Sequence, residues 1–244
     1  MVREAEILKG IKIVDLGLFI EKLAILAIAD LHLGIEEMYN REGVFLPRTN
    51  FEQIKKRLAK MLEAKRPKRV IINGDLKHEF GEISKQEWHE VLEMLDFIAC
   101  YTKEILLIKG NHDTILGPLA NLKGLSILDE FYLPELSLLF LHGHKLSKSK
   151  EFEEAKTLII AHEHAAVSIR EGQRSELYKC FLKGRYKKKT LIAMPSMNAV
   201  AIGSNVLREK MLSPFLQHDL SDFECWAIED KPYYFGRLKN ISLI

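Results

Sequence analysis

Five short polar clusters hold most of the residues in this sequence that could do chemistry. They are Asp30-Leu31-His32, Asp75-Leu76-Lys77-His78, Asn111-His112-Asp113, His142-Gly143-His144 and His162-Glu163-His164. Of the nine histidines, only His89 and His218 fall outside them. Core packing or chance would have scattered imidazoles over helices and loops as well. An Asp at a strand end is also a common helix cap, so the recurrence of the pattern carries the weight. In extended chain, Asp30 and His32 lie two residues apart and point to one side, as two ligands of one ion would. Mixed Asp, Asn and His donors suit Mn²⁺, Fe²⁺ or Zn²⁺ better than Ca²⁺ or Mg²⁺, which prefer all-oxygen shells. No cysteine enters the clusters, which argues against a structural zinc site. The candidate ligands are too many for one ion. Two ions sharing a carboxylate, roughly 3.5–4 Å apart, is the economical arrangement.

Each cluster follows an apolar run of strand character: Leu23–Ile28, Arg69–Ile72, Glu104–Ile108, Leu136–Leu141 and Leu158–Ala161. Ile11–Ile20 reads as one or two short strands before the first of these, and Glu36–Arg41 as a short helix. Asn50-Phe51-Glu52-Gln53 and Ser84-Lys85-Gln86-Glu87 have capping-box spacing. The first opens an amphipathic helix to about Ala64, with Ile54, Leu58 and Leu62 on one face; the second opens one to about Ala99. Helices thus separate the first three strands, which suggests βαβ units and a partly parallel sheet, with ligands bound beyond the carboxyl ends. From about Val167, strands follow one another without long helices and suggest a mostly antiparallel second sheet. No Gly-, Ser- or Pro-rich linker divides the chain, so residues 1–244 are expected to form one α/β domain of two sheets, with 165–244 completing the second.

Composition narrows the class. Apolar residues make up 47% and charged residues 29% of the 244-residue chain, as in an ordinary globular protein. No apolar run approaches the 18 or so residues of a membrane span, and Met1–Glu6 has no secretory pattern. Cys100, Cys180 and Cys225, odd in number and far apart, suit a reducing, cytoplasmic setting rather than a disulfide framework. A net charge of +2 is low for a nonspecific nucleic-acid binder. The run Lys183–Lys189 reads either as a solvated hairpin loop or as a contact to a phosphate backbone.

In order and type, the five motifs resemble those of the calcineurin-like metallophosphoesterase superfamily. Asp30-Leu31-His32-Leu33-Gly34, Gly74-Asp75-Leu76-Lys77-His78, Ala161-His162-Glu163-His164-Ala165, Pro195-x-x-Asn198, Gly203 and Ser213-Pro214 resemble its ICC-like branch, which includes a DNA-damage-response endonuclease of bacteria. Ala161 departs from the pattern, which usually has Gly there. The resemblance implies an αββα fold, a two-sheet β-sandwich flanked by helices. It implies one ion held by Asp30, His32 and His164, a second by Asn111, His142 and His162, and Asp75 bridging them. His142 is preferred to His144 because it directly follows its strand. Mn²⁺ is the expected metal, with Fe²⁺, Zn²⁺ or Ni²⁺ as alternatives. His112 would act on the leaving-group oxygen. His78 would assist near the leaving group, and Asp113 would either fix the tautomer of His112 or close the turn. The implied function is hydrolysis of a phosphodiester, with nucleic acid or small cyclic nucleotides as substrate and a non-catalytic scaffold as the remaining alternative. Substrate choice is expected in the loops Glu36–Arg48, Lys77–Ser84 and Arg170–Lys189.

Overall fold

The computed structural model describes residues 3–80, 84–114, 116, 125–172 and 174–241. Parts of the expected substrate loops, 81–83 and 173, lie outside them. A first sheet runs in chain order through β1 (Glu4–Leu8), β2 (Ile11–Val14), β3 (Gly17–Ile20), β4 (Ile25–Ala29), β5 (Arg69–Asn73), β6 (Glu104–Ile108) and β7 (Ser126–Leu128). β1 to β4 form an antiparallel meander, and β4 to β7 are parallel. Two long helices, α2 (Asn50–Lys65) and α3 (Lys85–Ala99), cross between β4, β5 and β6, and the short α1 (Ile35–Arg41) follows the first cluster. Residues Ile25 to Ala29 are all buried, as expected of a central strand covered on both faces.

The second sheet contains β8 (Glu130–Leu133), β9 (Leu138–Leu141), β10 (Thr157–Ile160), β11 (Ala165–Glu171), β12 (Arg174–Tyr186), β13 (Lys189–Ala193), β14 (Ser204–Asn205), β15 (Glu224–Ile228) and β16 (Pro232–Arg237). β9, β10 and β13 are parallel neighbours, whereas the hairpins β11–β12, β12–β13 and β15–β16 are antiparallel. β9 and β10 therefore belong to this sheet and do not extend the first. The five clusters arrive from the carboxyl ends of two sheets. Alternation along β10 explains how the sheets pack: Ile159 joins the core shared with β4 and β5, while Leu158 and Ile160 join Phe152 and Phe215 on the outer side. The result is the expected sandwich with helices outside.

Local expectations fared unevenly. Ser84 caps α3 as read, accepting from the Glu87 amide at 3.0 Å. Asn50, however, lies inside α2 and Thr49 takes the cap position. The Asn50 carboxamide instead accepts from the Ala199 amide at 2.7 Å, tying α2 to the 196–201 loop. The basic run forms the β12–β13 hairpin, with Tyr186 opposite Lys189. Since β13 runs parallel to β10, that turn sits about 13 Å of strand away from the clusters. Its lysines are used locally: Lys189 Nζ donates to the Glu153 and Ala155 carbonyls at 2.8 and 2.7 Å.

Candidate metal centre

Asp30, His32, Asp75, His162 and His164 all have left-handed backbones, with φ of 50, 45, 40, 68 and 50°. The extended-chain explanation for Asp30 and His32 is therefore replaced. The chain reverses at each strand end, and the curl, not strand alternation, aims both side chains inward. Left-handed φ is unfavourable for most residues but is tolerated best by Asn, Asp and His, and it collects at functional sites. Ala161 has no positive φ, so alanine fits where glycine was expected. Gly74 does need its type: at φ 84°, a Cβ would run into the His142 ring. At Gly110, a Cβ would collide with the Asp75 carboxylate.

Two donor groups result. Asp30, His32 and His164 have ligand atoms within 4.8 Å of one another, and so do Asp75, His142 and His162. Asp75 Oδ2 lies between the groups, 3.4 Å from His142 Nε2 and 3.7 Å from His32 Nε2. Asp30 Oδ1 is 3.1 Å from His142 Nε2, and Asp30 Oδ2 is 3.5 Å from His164 Nε2. His142 thus turns Nε2 to both carboxylates, while its Nδ1 lies 3.1 Å from Nδ1 of His144. His32, His78 and His112 form a third set of close imidazoles. The Asn111 Oδ1 is buried without a hydrogen-bond partner.

Burial dominates the electrostatics. It pushes the Asp30 carboxyl up to about 8 and Asp75 up to about 9, the latter helped by the charges of Asp30 and Asp113. It holds His142 and His162 down at about 3, and His32 and His164 well below the usual imidazole range. Among the described residues, the basic side chains beside these carboxyl groups are imidazoles alone, at 3.1 to 3.7 Å. Neutral imidazoles, buried carboxylates and an orphaned amide oxygen form a set that divalent cations would complete.

The next layer surrounds His112 and His78. The His112 amide donates to Asp75 Oδ1 at 2.9 Å. Its Nδ1 meets the His78 carbonyl, which can only accept, so Nδ1 of the neutral ring carries the proton. His78 places Nδ1 3.1 Å from His32 Nδ1 and stacks on His112 at 5.3 Å. Asp113 accepts from the amides of Gly110, Leu76 and Lys77 at 3.0, 3.1 and 3.4 Å, joining the loops after β5 and β6.

Several residues of this layer carried no chemical signal in the sequence. Glu87 Oε1 accepts from the His78 and Glu79 amides at 2.8 and 2.9 Å, and Glu90 Oε2 from the Gly34 amide at 2.9 Å. The first turns of α3 therefore hold two site loops. Glu163 accepts from the Leu212 and Ser213 amides, each at 2.8 Å. Ser196 Oγ donates to the Asp30 carbonyl at 2.7 Å, and Ser213 Oγ to that of Gly143 at 2.8 Å. Asn198 and Ser213 were legible only through the Pro195-x-x-Asn198 and Ser213-Pro214 motifs, and Ser196 falls on an unspecified position of the first.

A 530 Å³ cleft opens over His32, Asp75, His112, His162 and His164, with Leu177, Ile202 and Leu212 on its wall. A larger cleft of 820 Å³ lies elsewhere on the surface, with two ion pairs in its lining, Arg57 to Asp15 at 2.8 Å and Arg3 to Asp230 at 3.4 Å.

Residues 23–197, more than half of the chain, match the family model described as calcineurin-like phosphoesterase. No curated protein matches the sequence. Among solved structures, the chain is similar to nuclease MPE of Pseudomonas putida, at 16% identity and a TM-score of 0.67, over 96% of this chain and 100% of that one. YfcE, a phosphoesterase from E. coli, aligns at 14% identity and a TM-score of 0.43, over 88% of this chain and 97% of that one. Vacuolar protein sorting 29 of Cryptosporidium parvum gives 14% and 0.39, over 87% and 97%. At such identities the likeness is one of fold.

Proposed function

The chain belongs to the calcineurin-like phosphoesterases, hydrolases of phosphoester bonds, and we propose that it cleaves phosphodiesters in nucleic acid with the help of two divalent cations. The observation that carries this reading is Asp75, set between two donor groups and hydrogen-bonded to the backbone of His112. Asp30, His32 and His164 would hold one cation, and Asn111, His142 and His162 the other, with Asp75 shared. Mn²⁺ suits this donor set, with Fe²⁺, Zn²⁺ or Ni²⁺ as alternatives. Bound divalent cations supply a water acidified enough to be a nucleophile near neutral pH, and positive charge for the phosphoryl oxygens.

The chain's own groups do the rest. His112, pinned at Nδ1, presents Nε2 to the leaving oxygen and gives it a proton from the imidazolium form. The His78 carbonyl fixes that tautomer, and the His78 ring backs His112 and His32. Asp113 closes the turn that carries both. The left-handed loops hold these groups in place before substrate arrives, which lowers the reorganisation needed at reaction.

The open cleft favours a polymer over a small ester, and a protein of like fold over 96% of this chain bears the name nuclease. A small cyclic nucleotide is the second reading, favoured by the apolar wall of the 530 Å³ cleft. We further read residues 1–244 as one domain. The free cysteines suit a cytoplasmic setting, and no helix among the described residues is long and apolar enough to cross a membrane. The test is a panel with Mn²⁺: single-stranded DNA, duplex DNA, 2′,3′-cyclic AMP and bis-p-nitrophenyl phosphate. Cleavage of DNA is expected. Turnover of the small esters alone would replace this reading with the second.

A further inference from the structure

The sequence reading assigned no role to Phe80. Its ring is 58% exposed and lies beside the site. One side packs on His112, with ring centroids 3.7 Å apart and planes tilted by 32°. Its carbonyl accepts from Thr114 Oγ1, which anchors the residue to the loop of His112. A cleft of 330 Å³ opens beside the ring, lined by Met38, Arg41, Glu42, His78, Glu79 and Phe80.

We propose that Phe80 is a stacking platform for an unpaired nucleobase, that of the nucleotide whose oxygen leaves in the reaction. This rests on the reading of the site as a phosphodiesterase with His112 on the leaving-group side. Geometry links the two. Phe80 touches the group that protonates the leaving oxygen, so the nucleoside bearing that oxygen must pass the ring. An exposed aromatic face next to a thioether and an imidazole suits a flat, apolar π-face, and bases stack on aromatic residues in most single-strand sites. Charge fits as well. Arg41 lines the cleft and Arg48 lies nearby, both more than half exposed, in ion pairs with Glu79 and Glu37 at 2.9 and 2.7 Å. Such exposed pairs are weak and can open towards the next phosphate of a strand. A base inside a duplex has no free face to offer, so the occupant is a single strand.

In the step, water adds to phosphorus and gives up a proton to solvent, the P–O bond to the leaving nucleoside breaks, and that oxygen takes the proton from His112, which regains one from solvent. The nucleoside on Phe80 therefore ends with a new hydroxyl, and its neighbour keeps the phosphate. The experiment uses the Mn²⁺-loaded protein and single-stranded oligonucleotides with a tetrahydrofuran abasic residue on either side of the cleaved bond. Phe80→Leu keeps apolar bulk over His112 but removes the π-face; Phe80→Trp restores a larger one. For base-bearing substrate, Phe80→Leu should raise KM by about 5- to 150-fold, the range set by one base–aromatic stack, and Phe80→Trp should not. An abasic residue on the hydroxyl-bearing side should raise the wild-type KM by the same factor and abolish the effect of Phe80→Leu. On the phosphate-bearing side it should change neither. Equal KM for Phe80→Leu and wild type on intact DNA overturns the platform and leaves the nuclease reading standing. A wild-type protein that hydrolyses bis-p-nitrophenyl phosphate but no oligonucleotide overturns both.

Discussion

Glu87 offers the sharpest test of how the leaving-group side is held. The residue is 1% exposed, and one carboxylate oxygen accepts two backbone amides, those of His78 and Glu79. The carbonyl of that same His78 takes the proton of His112 Nδ1. Replacing Glu87 with alanine strands two part-buried N–H donors, at about 1–3 kcal/mol each. A loss of roughly 2–6 kcal/mol is expected, within what all but the least stable domains survive. Glutamine keeps an oxygen that can accept both bonds and loses only the charge, so Glu87→Gln should cost about 1 kcal/mol. Urea unfolding at pH 7 measures both. The functional arm is a double-mutant cycle. If Glu87 acts through His112, then Glu87→Ala lowers kcat on DNA, and adding it to His112→Ala lowers kcat no further. Additive losses would refute the relay from carboxylate to loop to imidazole. A Glu87→Ala protein within 0.5 kcal/mol of wild type, on the order expected for a plain surface change, would refute the energetic reasoning as well.

His112→Ala should cost about 10²–10⁴-fold on DNA, whose alkoxide leaves poorly, and far less on p-nitrophenyl esters, whose leaving group needs no proton. Metal content by elemental analysis should be unchanged, and its loss would mean that the residue holds a cation. Asp75→Asn should bind less than one equivalent of Mn²⁺ where wild type binds two; two retained equivalents would exclude a shared carboxylate. Because Asp30 and Asp75 keep their protons up to about 8 and 9, Mn²⁺ uptake at pH 6.5 should release protons, fewer as pH rises and none well above 9. Calorimetry in two buffers of different ionisation enthalpy reads this directly. As pH falls from 7 to 5, Asp30 and Asp75, protonated in the fold, add stability, and the buried imidazoles take it away. His142 titrates at about 3 when folded and near 6.5 when unfolded, so the unfolded chain binds the extra proton below pH 6.5. Stability is then lost as pH falls, by about 2 kcal/mol from His142 alone at pH 5. An NMR titration of the metal-free protein in which the His142 ring gains its proton in the ordinary imidazole range would contradict a neutral, buried His142.

The kind of chemistry was decided by the sequence, because donors are defined by residue type. Seven of nine histidines behind apolar runs, with Asp30, Asp75 and Asn111 beside them, can serve little else. The helices and most strands were legible for a similar reason, since hydrophobic period is a local property. Other features depended on distant partners. Nothing in Leu138–Leu141 or Thr157–Ile160 tells which sheet a buried strand joins, because both faces are apolar in either case. Nothing in Glu90 or Asn50 separates a surface polar residue from one that holds a loop, because the amides they accept from, those of Gly34 and Ala199, lie 56 and 149 residues away. The basic run was open to two readings, a solvated hairpin loop or a phosphate contact, and it forms a hairpin whose turn lies far from the clusters, since charge is written in the sequence and its distance from the site is not. The first cluster shows the division best. Asp30 and His32 were named as a ligand pair from their types, but only the folded chain, curling to positive φ against Gly74, Ser196 and His162, aims them at the same point.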